Sequence, residues 1–312
     1  MSEKSRRDRV GLGLIGLGPG WELLYCETLV RLQKRLTIRQ VYDPVEARAK
    51  SVASEFDAEV AGSLRQMLSR PTLQGLLVLD LGWLGAGALS LIARCGKPVY
   101  LAGPVLRQVA ALRATLRCPP SPASLGRQQS DENDQLMPEL GLRFTPSTCR
   151  LRELMATKLG TVQRILIECN LSANTGNIAQ LVDWCIHMMG QSPHHLASVY
   201  EETSTQKQIN FEFPSSPSTS NPRVATLKQS AEIDGNIRFT IECERGEATL
   251  VDRTRIQWRN SAETADEFLE DERDEIEILI DQFCRRAVGG LNPVGRLSEF
   301  LRAIEIVESI SQ

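Results

Sequence analysis

Residues 10–20 read Val10-Gly11-Leu12-Gly13-Leu14-Ile15-Gly16-Leu17-Gly18-Pro19-Gly20, and the next apolar run, TIRQVYD, closes on Asp43. The first six residues carry no charge and mix glycine with leucine, valine and isoleucine, the composition of a buried strand. A turn of little side-chain bulk follows, Gly16 to Gly20, and then WELLYCETLVRL places its apolar residues at helical spacing. A helix start exposes unpaired N–H groups and the positive end of the helix dipole, so a diphosphate settles there when no Cβ blocks it. Asp43 falls where a carboxylate accepts both hydroxyls of an adenosine ribose, and an acid there repels the 2′-phosphate that separates NADP from NAD. The stretch therefore predicts dinucleotide binding, with NAD favoured over NADP. One position departs from the G-x-G-x-x-G spacing: Trp21 stands where the third glycine belongs, and Gly20 comes one residue early. Trp21 must pack where the helix presses closest to the strand, which reshapes the turn or narrows the diphosphate seat.

The rhythm continues outward from this turn. Strands are expected near Val10–Ile15, Thr37–Tyr42, Gly75–Leu79 and Pro98–Leu101, with helices near Trp21–Arg31, Val45–Glu55, Ser63–Leu68 and Ala86–Cys95 between them. Strand and helix alternating over short connections specify a parallel sheet covered on both faces. Its ligand belongs beyond the carboxyl ends of the strands, where Gly16–Gly20, Asp43, Asp80 and Ala102–Pro104 converge. After a helix near Val105–Arg117 comes CPPSPASLGRQQSDENDQ, whose Pro, Ser and charge content reads as a surface loop. A new pattern then begins: a strand near Leu140–Phe144, a helix Ser147–Lys158, a strand Val162–Asn170 and a helix near Ile178–Met189. From Ser198 to Asp252 strands dominate, in QINFEF, RVATLKQSAEI, IRFTIECE and EATLVD, with Arg245-Gly246 as a hairpin turn and PSSPSTSNP as a loop. Helices near Asp274–Ala287 and Arg296–Ile310 close the chain.

Composition narrows the function classes. A chain of 312 residues with 42% hydrophobic and 24% charged residues suits about two domains with a large core. A net charge of −3 gives no reason to expect nucleic acid or an anionic membrane as partner. No apolar run approaches the roughly 20 residues that cross a bilayer, and the basic start MSEKSRRDR leads into a strand rather than a secretory signal. Eight cysteines without a C-x-x-C pair, most of them within apolar runs, read as reduced thiols of a cytoplasmic protein. His187, His194 and His195 share a short window with Asp183, but Gly190 and Pro193 place the latter two histidines in a surface turn, so no metal site is expected. The apolar strands QINFEF and IRFTIEC call for a cover, which predicts a homo-oligomer.

The order of these elements resembles the Gfo/Idh/MocA oxidoreductases, over nearly the whole chain. The resemblance rests on VGLGLIGLGPGW, VYDPVEARAKSVASEF, GKPVYLAGP, RFTPSTCRLRELMATKLGTVQ, the Asp183…His187 pair and LSEFLRAIEIVES. It implies an α/β fold: an amino-terminal Rossmann doubly wound parallel sheet, then an α+β domain built on a large, open, mostly antiparallel sheet. The corresponding division is 1–117 for dinucleotide binding, 118–295 for substrate and oligomer contacts, and 296–312 as a closing helix packed back on the first domain. It also implies NAD(P)-dependent chemistry at a carbon bearing a hydroxyl, on a sugar, inositol or related polyol.

Departures from the family pattern bear on mechanism. The family's Glu-Lys-Pro, whose lysine moves a proton at the substrate hydroxyl, falls on Ala102, Gly103 and Pro104, so that only Pro104 is retained. Its Thr-Pro-Asn-x-x-His stretch beside the nicotinamide falls on Asp80, Leu81, Gly82 and Gly85. A positioned acid or base contributes about 10²- to 10⁴-fold to such a reaction, and glycine supplies none. By the same resemblance, the cofactor contacts are Gly16, Gly18, Pro19, Gly20, Trp21, Asp43, Asp80 and Pro104, and Arg143 touches substrate. Asp183 and His187, at i and i+4, share a helix face on which the carboxylate orients the imidazole. A helix cap or core hydrogen bond is the plainer role for that pair, and a salt bridge is the plainer role for Arg143. Three functions stay open: an NAD-binding relative with impaired or altered catalysis, an active sugar or polyol dehydrogenase using His187, and a structural or interaction protein in which Trp21 and Leu81 fill an emptied cofactor cleft.

Overall fold

In the computed structural model the uncharged run VGLGLI forms strand β1 (Val10–Ile15), buried over all six residues. Its neighbours are β2 (Leu36–Tyr42) on one side and β4 (Gly75–Val78) on the other, both parallel to it. The structure describes residues 9–108, 135–169, 175–200, 207–215, 222–229, 237–270, 273–290 and 295–310. Nearly all of the expected loop from Cys118 to Gln135, the body of the helix begun at Val105, the start MSEKSRRD and most of PSSPSTSNP lie outside those residues.

Two compact units divide the chain: residues 1–140 with 276–302, and 141–275 with 303–312. The division differs from the expected one in three ways. The first unit extends past residue 117 to Leu140, and it takes back helix α8 (Glu275–Ala287) from Ile276 onward. The physical reason lies in α8's apolar stripe. Phe283 lands on Gly75, where a Cβ would come within 2.9 Å of its ring, and stands edge-on to Tyr100 at 5.9 Å. On the same helix, Glu277 and Asp281 are buried carboxylates met by Arg31 and Arg35. Helix α9 (Leu297–Ile310) is divided between the units after Arg302.

The first unit's sheet has six strands in the order β3-β2-β1-β4-β5-β6, all parallel, with β3 (Glu59–Val60), β5 (Val99–Leu101) and β6 (Leu136–Pro138) completing it. The order reverses between β1 and β4, which makes the crevice beyond their carboxyl ends the ligand position in such sheets. Between the strands lie α1 (Cys26–Arg31), α2 (Glu46–Glu55), α3 (Leu64–Leu68), α4 (Gly85–Ala93) and the short α5 (Gly103–Leu106). The expected strand at Leu140–Phe144 is a correction. Residues Gly141–Phe144 form a 3₁₀ turn, and the strand lies upstream at Leu136–Pro138, where Pro138 ends it against the sheet's edge.

The second unit carries an eight-stranded sheet in the order β14-β13-β12-β11-β7-β10-β9-β8. Its strands are β7 (Val162–Cys169), β8 (His195–Tyr200), β9 (Lys207–Phe213), β10 (Arg223–Gln229), β11 (Arg238–Cys243), β12 (Gly246–Leu250), β13 (Arg255–Asn260) and β14 (Thr264–Phe268). Only β7 and β10 run parallel, so the sheet is mostly antiparallel, as expected. The β11–β12 hairpin closes on Glu244-Arg245, and Gly246 opens β12 because a Cβ there would strike the backbone of β13. Helices α6 (Pro146–Leu154) and α7 (Thr175–Met189) cover one face, with the Trp184 ring 4.6 Å from that of Phe239. Strand alternation sends Ile209, Phe211, Phe213, Phe239 and Ile241 into that buried layer. The other face of β9 carries Gln208, Asn210 and Glu212, and of the apolar residues in QINFEF and IRFTIEC, Ile237 stays exposed. Among the described residues no helix is long and apolar enough to cross a membrane.

Candidate active site

The glycine turn follows β1 directly, and packing against the end of β4 dictates its glycines. Gly16 (φ 68°) donates to the Tyr42 carbonyl at 2.9 Å, and an added Cβ would lie 2.7 Å from the carbonyl carbon of Asp80. Gly18 (φ 44°) has Asp80's own Cβ 2.7 Å from where a side chain would begin. Both positions need the left-handed region and a bare Cα. Gly20 needs neither, since its φ is −81° and its nearest neighbours would be 3.7 Å away. Pro19 is exposed at the apex.

The expected helix at Trp21 begins as a π-turn, Trp21–Tyr25, in which the Cys26 N–H reaches back to the Trp21 carbonyl, before α1 proper. The indole explains the wide turn. Trp21 is buried and stands edge-on to Phe56, at the end of α2, with ring centres 5.9 Å apart. A bulky ring where glycine was expected is thus accommodated by widening the first turn.

Asp43 and Asp80 bracket the turn. Asp43 is buried; its Oδ2 accepts the Leu17 N–H and its Oδ1 the Val45 N–H, both at 2.8 Å. Each oxygen keeps a lone pair for a further donor, which is what a ribose diol requires. Asp80 accepts the Gly82 N–H at 2.8 Å and lies within 3.5 Å of the Gln108 amide. Its carboxyl is pressed against Gly18, so a fixed negative group borders the backbone that would receive a diphosphate. Leu81, beside it, is buried. The residues present therefore fit the adenosine half of a dinucleotide through Asp43, and they crowd the diphosphate half with one carboxylate.

A third acid at this edge escaped the sequence reading. Glu139 follows β6 immediately, and its Oε2 accepts the Tyr100 hydroxyl at 2.7 Å and the Tyr25 hydroxyl at 2.9 Å. Oε1 lies against Gly103, 3.0 Å from where a Cβ would stand. Burial pushes the Glu139 carboxyl above its ordinary range; the Tyr100 and Tyr25 hydroxyls, the Gly103 N–H and the Arg107 cation pull the other way. Tyr25 is shifted up as well, by burial and by the neighbouring carboxylate. Pro104 sits in the first turn of α5, where its fixed φ suits a helix start. The signal for Glu139 was present: like Asp43 and Asp80, it is an acid at the end of an apolar run. Placing the strand four residues late hid it.

The second unit holds the remaining candidates. Arg143 grips Asp183 with two parallel bonds, Nε to Oδ2 at 2.9 Å and Nη2 to Oδ1 at 2.5 Å, with both side chains buried. Trp184 donates to Thr148 at 3.1 Å next to this pair. His187, one turn on along α7, is half-buried. His194 and His195 are exposed; His195 opens β8 and lies 3.9 Å from Glu212. The structure therefore joins Arg143 to Asp183 and gathers the glycine turn, Asp43 and Asp80 around one strand switch.

This architecture, a doubly wound domain followed by an open-sheet domain, is shared with several solved oxidoreductase structures. Among solved structures, an aldose–aldose oxidoreductase from Caulobacter crescentus complexed with glycerol is 14% identical, with a TM-score of 0.71 over 97% of this chain and 96% of that one. A levoglucosan dehydrogenase in complex with NADH and levoglucosan is 13% identical, with a TM-score of 0.69 over 97% and 96%. A UDP-N-acetylglucosamine 3-dehydrogenase from Acidithiobacillus ferrooxidans is 15% identical, with a TM-score of 0.68 over 97% and 96%. No family model and no curated protein matches the sequence. Identities this low carry the fold and leave the activity to the residues of the site.

Proposed function

We propose that the chain binds NAD at the carboxyl edge of its parallel sheet and that its chemistry on a sugar or polyol hydroxyl is impaired or altered, because position 103 carries no side chain. The observation that carries this reading is Asp43: a buried carboxylate at the end of β2, tied to the Leu17 N–H of the glycine turn, with lone pairs to spare. In this reading Asp43 holds the ribose and excludes a 2′-phosphate, and the Gly16–Gly20 backbone receives the diphosphate beside Asp80. A bound nicotinamide supplies a hydride acceptor or donor. Substrate class follows the neighbours, whose structures hold glycerol or levoglucosan. The seven described cysteines stand as free thiols, which supports a reducing compartment such as the cytoplasm.

Titration calorimetry with NAD and NADP tests the cofactor half. NAD is expected to bind more tightly than NADP, and Asp43→Ala is expected to weaken NAD at least tenfold and to narrow the difference. No binding of either at millimolar concentration removes the cofactor and leaves a structural or interaction protein. Screening polyols and sugar acids by the absorbance of reduced nicotinamide tests the catalytic half. Turnover that survives Gly103 but falls with His187→Ala would identify an active dehydrogenase.

A further inference from the structure

We propose that Glu139 is the proton-handling group of the carboxyl-edge site, with Tyr25 and Tyr100 as the residues that position it. The proposal rests on the reading above for its substrate, a bound hydroxyl, and on local geometry for everything else.

Four elements of the first unit meet at this carboxyl. Glu139 itself comes directly after β6, Tyr100 lies on β5, Gly103 opens α5, and Tyr25 ends the π-turn that follows the glycine turn. The sheet's carboxyl edge is where doubly wound folds receive ligands. Both phenols donate to the same oxygen, Oε2, at 2.7 and 2.9 Å, which fixes the plane of the carboxyl and saturates that oxygen. Oε1 faces Gly103, whose backbone N–H also favours the anion, and the glycine keeps a side chain off that oxygen; a Cβ would sit 3.0 Å away. The residue keeps part of its surface exposed even though its carboxyl is enclosed by the tyrosines.

The charged and titratable groups facing it are Tyr25 from the π-turn, Tyr100 from β5, and Arg107 beyond α5. Arg107 and the three hydrogen-bond donors favour the anion, while burial opposes it and prevails. A carboxyl whose pKa is raised moves toward the range in which an acid both takes and returns a proton. In the proposed step the O–H bond of a bound hydroxyl breaks and its proton passes to Glu139 Oε1. A nicotinamide coenzyme held at this edge would supply the acceptor for the hydride of the same carbon, which would then become a carbonyl. In the reverse direction Glu139 returns the proton. Tyr25 keeps its own proton throughout, since its shift is upward.

The experiment is an infrared pH titration of the full chain without ligand, reading the C=O stretch of protonated carboxyls. Wild type is expected to show one band whose loss on raising pH has its midpoint above the ordinary glutamate range, and Glu139→Gln is expected to lack it. Tyr100→Phe, a milder change that preserves the ring, removes a donor to the anion and is expected to move the midpoint further up. A wild-type midpoint at ordinary carboxylate pH overturns the proposal, as does a band that persists in Glu139→Gln or a midpoint that ignores Tyr100→Phe. Calorimetry of NAD binding in two buffers of different ionisation heat then counts protons. Wild type should exchange a pH-dependent fraction of one proton and Glu139→Gln none; equal exchange in both refutes the role. If NAD binds neither protein, the cofactor reading fails and the acid–base role proposed for Glu139 falls with it, while the infrared result still separates an unusual carboxyl from an ordinary one. Where a polyol is turned over, Glu139→Gln should lower kcat by about 10²- to 10⁴-fold with KM little changed; a loss confined to KM also refutes it.

Discussion

The buried Arg143–Asp183 pair decides whether two of the candidate site residues are functional or architectural, and it does so through stability. Arg143 holds both oxygens of Asp183, at 2.9 and 2.5 Å, with the residues 7% and 2% exposed, so neither charge has water to fall back on. Asp183→Asn removes the anion that two nitrogens of the buried guanidinium grip. Losing one partner of such a pair costs about 3–5 kcal/mol, a fall of about 10²- to 10⁴-fold in the folding constant of the unit that contains it. With a urea m-value of about 2–3 kcal/mol/M, the midpoint of that unit drops by about 1.5 M. Arg143→Met with Asp183→Leu removes both charges and keeps similar volume, and this double variant should recover most of the loss. Because the chain has two units, the unfolding is followed by tryptophan fluorescence together with amide hydrogen exchange across α7, where Trp184 adjoins the pair. If the pair is architectural, the double variant also binds NAD as wild type does. An Asp183→Asn cost below about 1 kcal/mol would refute the reasoning, because a charge so easily orphaned must have reached another anion or water.

Three further outcomes follow from the first unit. Gly16→Ala combines a φ of 68° with a collision against Asp80's backbone, whereas Gly20→Ala meets nothing closer than 3.7 Å; the first should abolish soluble protein or cost more than about 2 kcal/mol in a melt, and the second should cost less than about 1. Asp80→Asn removes the negative charge beside Gly18 while keeping an acceptor for the Gly82 N–H, and calorimetry should show NAD affinity rising by about tenfold, the size of one partly screened repulsion. A carboxyl whose folded pKa is raised stabilises the fold fully below its unfolded pKa, and that stability is lost as pH climbs through the folded value. Melting temperature should therefore fall as pH rises through the Glu139 transition, and Glu139→Gln should flatten that slope.

The fold was legible in the sequence wherever burial wrote a simple period. VGLGLI and VQRILIEC sit inside sheets and read as strands, and the helical stripe of EIEILIDQFCRRA read as a helix. Which unit owns that helix was not legible, because Phe283's landing place, Gly75, lies about two hundred residues earlier and leaves no local mark. Strands β13 and β14 were missed because RIQWRN and TADEF bury only every second residue, if any, and their charges look like a loop. In the candidate site, Asp43 and the glycine turn follow from spacing alone. The role of Asp80 does not, since its bearing on Gly18 exists only once β1 and β4 are paired. Arg143 and Asp183 are forty residues apart, and only the folded unit shows each as the other's counter-ion.

What organises the carboxyl edge is a repeated problem of charge. Three parallel strands, β2, β4 and β6, are each followed closely by an acid: Asp43, Asp80 and Glu139. Each is handled differently. Asp43 is held by two backbone N–H groups, Asp80 by one N–H and an amide, and Glu139 by two phenols in a setting whose burial outweighs them. An edge with three ionised acids would repel any coenzyme that carries a diphosphate, and a raised Glu139 pKa widens the pH range in which one of them is neutral. The same raised pKa lets this acid accept and return a proton where Gly103 offers nothing. Binding and proton transfer thus make the same demand on Glu139, so a single substitution, Glu139→Gln, should preserve coenzyme affinity while removing its pH dependence. An affinity that falls tenfold or more in that variant would show that the charge of Glu139, rather than its proton, is what the site uses.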